Sequence, residues 1–160
     1  MPVILLWAVP AVFVLEDNHW AESTPESQHS PIRDLSDRAK AFGMKAIKVD
    51  GQDVEAVYKA TRQALEYARS GKGPVYLHLD TLRFSGHYIG DPQVYRDKDE
   101  FRETRKTQDP LDRLRGRLEL SDAEWKQLDS GVTKIVEEAV EFAKSGTDPA
   151  PEDALKNVYA

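Results

Sequence analysis

Between Thr81 and Pro92 the chain places Arg83, His87 and Asp91 around two glycines, Gly86 and Gly90. A guanidinium such as that of Arg83 can grip a phosphate or carboxylate at two points, and the imidazole of His87 can exchange a proton near neutral pH. The stretch has no apolar periodicity and reads as a loop, following the strand-like run Pro74-Val75-Tyr76-Leu77-His78-Leu79-Asp80. Open α/β sheets hold ligands at such places, where a loop leaves the carboxyl end of a strand. Spacing alone is served as well by an ordinary surface loop with a stray histidine. A second polar group, Asp17-Asn18-His19, halts the apolar run Pro10-Ala11-Val12-Phe13-Val14-Leu15. A continuous run of that kind is expected of a parallel strand covered on both faces.

The elements that would carry these groups follow from pattern. Met1 to Val9 is apolar, without caps or a clear period. The run Met1 to Leu15 lacks the basic start of a signal peptide and is too short to span a bilayer, so a buried strand is expected there. Glu22 to Ile32, rich in Ser, Thr, Pro and Gln, predicts an irregular loop. Arg33 to Phe42 predicts a short helix with Leu35, Ala39 and Phe42 on one face, stopped by Gly43. Ala46 to Asp50 predicts a strand, turned by Gly51. A helix is expected from about Asp53 to Ser70-Gly71, with Val54, Val57, Thr61, Ala64, Leu65 and Ala68 at helical spacing. The alternation of strand and helix predicts a parallel sheet with right-handed crossovers. Asn18, Asp50 and His87 then share one rim.

Beyond the loop, Asp97 to Lys106 is charged and amphipathic, and Asp109-Pro110 opens a helix to about Glu119. Ser121-Asp122-Ala123-Glu124 is a capping box for a long helix. Its stripe of Trp125, Leu128, Val132, Ile135, Val136, Ala139, Val140 and Ala143 suits core packing or a partner surface. The tail from Asp148 to Ala160 is expected to need another surface for order. The expected fold class is therefore α/β: a parallel sheet with flanking helices over residues 1–96, including the loop 81–96, then a helical extension and tail over 97–160.

The composition bounds the function. With 160 residues, 40% hydrophobic and 31% charged, the chain suits one globular domain plus an extension. A net charge of -6 argues against non-specific nucleic-acid binding, so an anionic ligand needs a local site. The absence of cysteine excludes disulfides, a thiolate nucleophile and Cys-type zinc sites, and is compatible with a cytoplasmic location.

Read together, several ordered blocks resemble one family. They are Val12-Phe13-Val14-Leu15-Glu16-Asp17-Asn18-His19-Trp20-Ala21, Val49-Asp50-Gly51-Gln52-Asp53, Ser70-Gly71-Lys72-Gly73-Pro74, Arg83-Phe84-Ser85-Gly86-His87, Asp91-Pro92, Tyr95-Arg96 and Gln108-Asp109-Pro110. From Leu6 onward the chain resembles the carboxyl-terminal half of the α subunit of thiamine-diphosphate-dependent dehydrogenase E1 components, which act on pyruvate, branched-chain 2-oxo acids or acetoin. The resemblance implies a partial thiamine-diphosphate-binding fold, with the diphosphate held through Mg²⁺. Asn18 would supply a side-chain oxygen to the ion and Trp20 its backbone carbonyl. It implies that His87 lies near the cofactor's thiazolium ring as a general acid in acyl transfer to the lipoyl group. Arg83 would buttress the loop or the diphosphate, and Asp91 would order the loop; His19, His29 and His78 match no motif and are expected to be structural or solvated. The implied partners are a β subunit, in an assembly of two α and two β chains, a lipoyl-bearing acyltransferase, and a small 2-oxo acid or acetoin; neither nucleic acid nor membrane is implied.

Three departures qualify the resemblance. The family's Gly-Asp-Gly segment has no counterpart in the sequence, so a fragment or truncated product, inactive alone, is expected. Asp17 stands where the family usually has the first of two asparagines, and Tyr88 where the mitochondrial pyruvate enzymes carry a regulatory serine. The wording of residues 86–91 leans toward acetoin-type and bacterial pyruvate-type members. The alternative is a non-catalytic subunit-interaction module or gene remnant, docking through the first strand, the long helix and the tail.

Overall fold

Three parallel strands carry the molecule's polar rim. The computed structural model describes residues 2–156 and Val158, with Pro2 and Glu100 described by their backbone alone. Met1, Asn157, Tyr159 and Ala160, which the expected first run and tail include, lie outside the described residues. The chain forms two units, residues 1–117 and 118–160.

In the first unit the elements run α1 (Pro2–Leu6), β1 (Val12–Asp17), β2 (Trp20–Ala21), β3 (Thr24–Pro25), α2 (Glu26–His29), α3 (Asp37–Lys40), β4 (Lys45–Asp50), α4 (Val54–Tyr67), β5 (Val75–Asp80), α5 (Lys98–Gln108) and α6 (Pro110–Leu118). The sheet order is β1-β5-β4, parallel throughout, and the register ends with Asp17 and Asp50 both opposite Asp80. Each strand thus finishes on an aspartate at one level, which is where a parallel sheet offers its ends to a ligand. The central strand β5 supplies the fully buried Val75, Leu77 and His78. Full burial of Val75 and Leu77 contributes about 1.5–3 kcal/mol each. On β4 and β5 packs α4, through Ala60 and Ala64 with Ala68 just beyond, small residues one turn apart that are all buried. Asp53 caps it, accepting the Glu55 and Ala56 N–H groups at 3.1 Å, which satisfies two otherwise orphaned donors.

Four expectations change. Pro2–Leu6 is helical and not strand, held by local bonds such as Trp7 N–H to the Val3 carbonyl at 3.0 Å. At the edge of the sheet, β1 leaves Val14 54% exposed, so its apolar run is not covered on both faces among the described residues. The expected loop 22–32 contains β3, paired with β2 just before it, and α2; Glu22 turns the chain between the two strands at φ 55, a left-handed conformation that a non-glycine residue adopts at a cost. The helix expected over 33–42 shrinks to Asp37–Lys40, because Asp34 Oδ1 accepts the Ser36 N–H at 2.9 Å and gives that backbone a competing turn. Phe42 stays exposed as a result.

In the second unit α7 (Asp122–Ser145) begins at the expected capping box, Ser121 and Glu124 exchanging both bonds. A 3₁₀ turn, Pro151–Leu155, follows. The α7 stripe is open to solvent, Leu128 at 55% and Ile135 at 66%, so it is not core among the described residues. No helix among them is long and apolar enough to cross a membrane.

Candidate functional site

Two structures meet at the carboxyl edge of the sheet: the turn after β1 and the loop after β5. The turn is built by two consecutive side-chain-to-backbone bonds. Asp17 Oδ1 accepts the His19 N–H at 3.1 Å, and Asn18 Oδ1 accepts the Trp20 N–H at 3.1 Å. Asp and Asn favour this geometry because their short side chains mimic a backbone turn. His19, at φ 65, then directs its ring back over the edge. Its Nε2 lies 2.7 Å from Asp80 Oδ1 and its Nδ1 3.0 Å from Glu26 Oε2. Burial alone would lower the His19 pKa, but the hydrogen bonds to Glu26 and Asp80 and the Asp17 charge raise it above the ordinary value. Beneath it His78, fully buried, has Nε2 2.9 Å from Asp17 Oδ2.

The loop has no regular structure from Thr81 to Ser85, and its order comes from side chains. Asp91 is the organiser: Oδ2 accepts the His87 N–H at 2.8 Å and the Tyr95 hydroxyl at 2.6 Å, while Oδ1 accepts the Gln93 N–H at 2.9 Å. The Tyr95 hydroxyl, with the His87 and Gln93 N–H groups and the Arg83 charge behind it, outweighs burial and holds the Asp91 carboxyl down at about 2. Arg83 Nη2 donates to the Glu22 carbonyl at 2.8 Å and to the Tyr95 hydroxyl at 2.7 Å. Its guanidinium also lies 5.8 Å from the Trp20 ring centroid and 5.7 Å from that of Tyr95, the range of cation–π attraction. Trp20 and Tyr95 themselves are 5.2 Å apart, centroid to centroid.

These contacts form one chain from Asn18 through Trp20, Tyr95 and Asp91 to His87. Asn18, Trp20, Arg83 and His87 are thus linked through Tyr95 and Asp91, with Asp91 as the expected loop organiser, while Trp20 and His87 line different clefts. His87 is half exposed, with Nε2 4.0 Å from Glu22 Oε1. It lines a cleft of about 240 Å³ with Glu22, Tyr88, Asp91 and Tyr95. Asp50, expected on the same rim, is engaged by Arg113 at 2.9 Å and lines a separate cleft of about 480 Å³ with Lys48, Gln52 and Asp80. Glu22 escapes sequence reasoning, and Tyr95, though among the residues that carry the resemblance, is not marked by its spacing as the bridge. Of the histidines expected to be structural or solvated, His19 and His78 are tied to carboxylates and His29 is exposed.

Asn18 Oδ1 uses one lone pair on the Trp20 N–H, and an amide oxygen has two. That amide oxygen and the Trp20 backbone carbonyl are both hard oxygens, the donor type that suits Mg²⁺.

Comparison with known proteins adds three findings. The family described as "Dehydrogenase E1 component" matches residues 5–152. The pyruvate dehydrogenase E1 component subunit alpha of Rhizobium meliloti (strain 1021) is 40% identical over 148 residues, 90% of this chain and 42% of that protein. The acetoin:2,6-dichlorophenolindophenol oxidoreductase subunits alpha of Cupriavidus necator and Bacillus subtilis are 37% and 35% identical, each across 96% of this chain and 47% of their own length. The chain spans about half the length of these relatives.

Proposed function

The chain belongs to the dehydrogenase E1 component family, and on that premise we propose that it works as part of an E1 α subunit using thiamine diphosphate and Mg²⁺. The substrate is a small 2-oxo acid of the pyruvate kind, or acetoin, the two chemistries in its relatives' names. The acyl group passes to lipoamide, with a β subunit and a lipoyl-bearing acyltransferase as partners. The observation that carries this reading is the continuous contact path from the Asn18 turn to His87 through Trp20, Tyr95 and Asp91. It supports the reading by joining, on one sheet edge, the turn that would hold the metal to the loop that would move the proton.

When bound, thiamine diphosphate supplies the carbon nucleophile that attacks the substrate's carbonyl, and the hard chemistry is the cofactor's. The chain's part is to bind and to place. Asn18 and the Trp20 carbonyl would hold Mg²⁺. Arg83 has its Nη2 committed to Glu22 and Tyr95, so it anchors the loop against the turn. Asp91 fixes the backbone at His87, and the half-exposed imidazole, with Glu22 4.0 Å from its Nε2, faces the cleft where it would move a proton.

The test is turnover of the α–β assembly containing this chain, with pyruvate and with acetoin, measured as lipoamide acylation. His87→Ala should lower acylation by about a hundredfold or more, the usual worth of a general acid, with assembly and cofactor binding intact. A wild-type assembly without thiamine-diphosphate-dependent turnover on either substrate would sink the reading. A second reading, a non-catalytic docking module, is favoured by the exposed apolar face of α7; under it His87→Ala changes nothing.

A further inference from the structure

Asp17 engages every acceptor atom it has. Oδ1 takes the His19 N–H at 3.1 Å and Oδ2 faces His78 Nε2 at 2.9 Å. Its backbone oxygen accepts the Thr81 N–H at 2.7 Å and the Thr81 hydroxyl at 3.0 Å. One residue therefore pins the start of the turn carrying Asn18 and Trp20 to the adjacent strand end. Asp17 is only 8% exposed and His78 is fully buried, so neither oxygen could turn to bulk water for a replacement partner.

The pair is chemically matched. A carboxylate offers two acceptor oxygens, and here each meets a separate nitrogen. An asparagine at position 17 has one acceptor oxygen, which could not serve both the His19 N–H and a protonated His78 Nε2 in the places the two carboxylate oxygens hold. On its other side His78 Nδ1 lies 3.5 Å from Asp34 Oδ1, whose own turn holds Ser36. The imidazole is wedged between two carboxylate-bearing segments.

We infer that His78 is a positioning residue for the metal-ligand turn: by donating to Asp17 Oδ2 it sets the direction in which Asn18 and Trp20 present their oxygens. The effect on Mg²⁺ rests on the cofactor reading above; the effect on the turn does not. Partners that orient metal ligands from behind are usually worth 10- to 100-fold in metal affinity.

Two variants separate the donor from the bulk. His78→Leu keeps approximate volume and removes the N–H, whereas His78→Gln keeps an N–H at about the Nε2 position. In the cofactor-free chain, hydrogen exchange at the His19 and Trp20 amides should rise about tenfold in His78→Leu and return to within about threefold in His78→Gln, as loss and recovery of one hydrogen bond to a charged group predict. In the α–β assembly with thiamine diphosphate present, Mg²⁺ affinity should fall about tenfold in the leucine variant and recover in the glutamine variant. Leucine and glutamine variants that behave alike, or a leucine variant indistinguishable from wild type, overturn the inference. A wild-type assembly that takes up no Mg²⁺ defeats the cofactor reading instead, and the exchange data still decide the role of His78. Should the leucine variant not fold, the imidazole nitrogen NMR spectrum of the unaltered chain decides: Nε2 must carry a proton, and a bare Nε2 overturns the inference.

Discussion

The turn after β1 and the loop after β5 lie on the same edge and are held by opposite means. The turn is an extension of the sheet: Asp17 is in register with Asp80, its backbone oxygen is bonded to Thr81, and its side chain is locked on the buried His78. The loop owes its shape to one carboxylate, Asp91, to the Tyr95 phenol that donates to it and to the Arg83 guanidinium that donates to that phenol. What differs is the cost of disorder. Loosening the turn breaks into a strand end and a buried pair, whereas loosening the loop exposes few apolar groups and leaves the core intact. A ligand site assembled from both is rigid on the side expected to hold the metal and adjustable on the side expected to move the proton.

Adding one methyl group at the ends of the packed strands and one in the outer loop tests the difference between sheet-built and side-chain-built order. At Gly51, beside the sheet edge, a Cβ would lie 2.4 Å from Thr81 Cγ2 and 2.9 Å from the Asp80 carbonyl oxygen. Backbone cannot step aside cheaply, so Gly51→Ala should destabilise the chain by about 1–3 kcal/mol in denaturant unfolding, as overpacking does. At Gly86, in the loop, a Cβ would lie 2.6 Å from Asp91 Cβ and 2.9 Å from its Oδ2. There the nearest obstacle is Asp91 Cβ, which no side-chain rotation moves, so the surface loop itself must shift. Gly86→Ala should change global stability by less than about 0.5 kcal/mol, as exposed loop changes usually do. The His87 amide should nonetheless exchange several-fold faster, and acylation by the assembled enzyme should fall. Equal losses of stability at the two glycines would erase the distinction.

Much of the edge was readable because its information is local. The bounds of β5 follow from the run Val75 to Asp80, the start of α4 from its cap at Asp53, and the start of α7 from Ser121 and Glu124. Asn18, Trp20, Arg83 and His87 came from the resemblance, and geometry alone gave each its contacts. The contacts that bind turn to loop were not readable. Asp17 with His78, His19 with Asp80, and Glu22 with Arg83 are each 61 residues apart, a separation set by how β1 registers on β5. No periodicity fixes that register when the connection between the strands contains the helices α2, α3 and α4 and the strands β2, β3 and β4. The same limit explains Phe42 and Val14: pattern marks them as apolar, but which apolar residue is covered depends on neighbours supplied from elsewhere.

The smallest effect, and the one confined to the loop, is its response to acid. The Asp91 carboxyl is held at about 2 against an ordinary 3.8, first by the Tyr95 hydroxyl and then by the backbone N–H groups of His87 and Gln93. A depressed carboxylate pKa means that the ordered loop favours the charged form. The contribution of Asp91 to loop order is therefore complete above the ordinary value and is lost as the pH falls through about 2, with no change near neutrality. The carboxylate lies near the surface, so solvent screening keeps the effect modest. Followed by the NMR shift of the His87 amide, wild type should depart from Asp91→Asn between roughly pH 4 and pH 2, because the asparagine keeps an acceptor but has no proton to bind. Because Asp34, in the loop before α3, is also held at about 2, chiefly by Ser36, acid alone does not single out the loop, and the difference between wild type and Asp91→Asn is the quantity to read. If the two titrate alike at His87, the loop is not held by the Asp91 charge, and the contrast between a sheet-built turn and a carboxylate-built loop fails on the loop side.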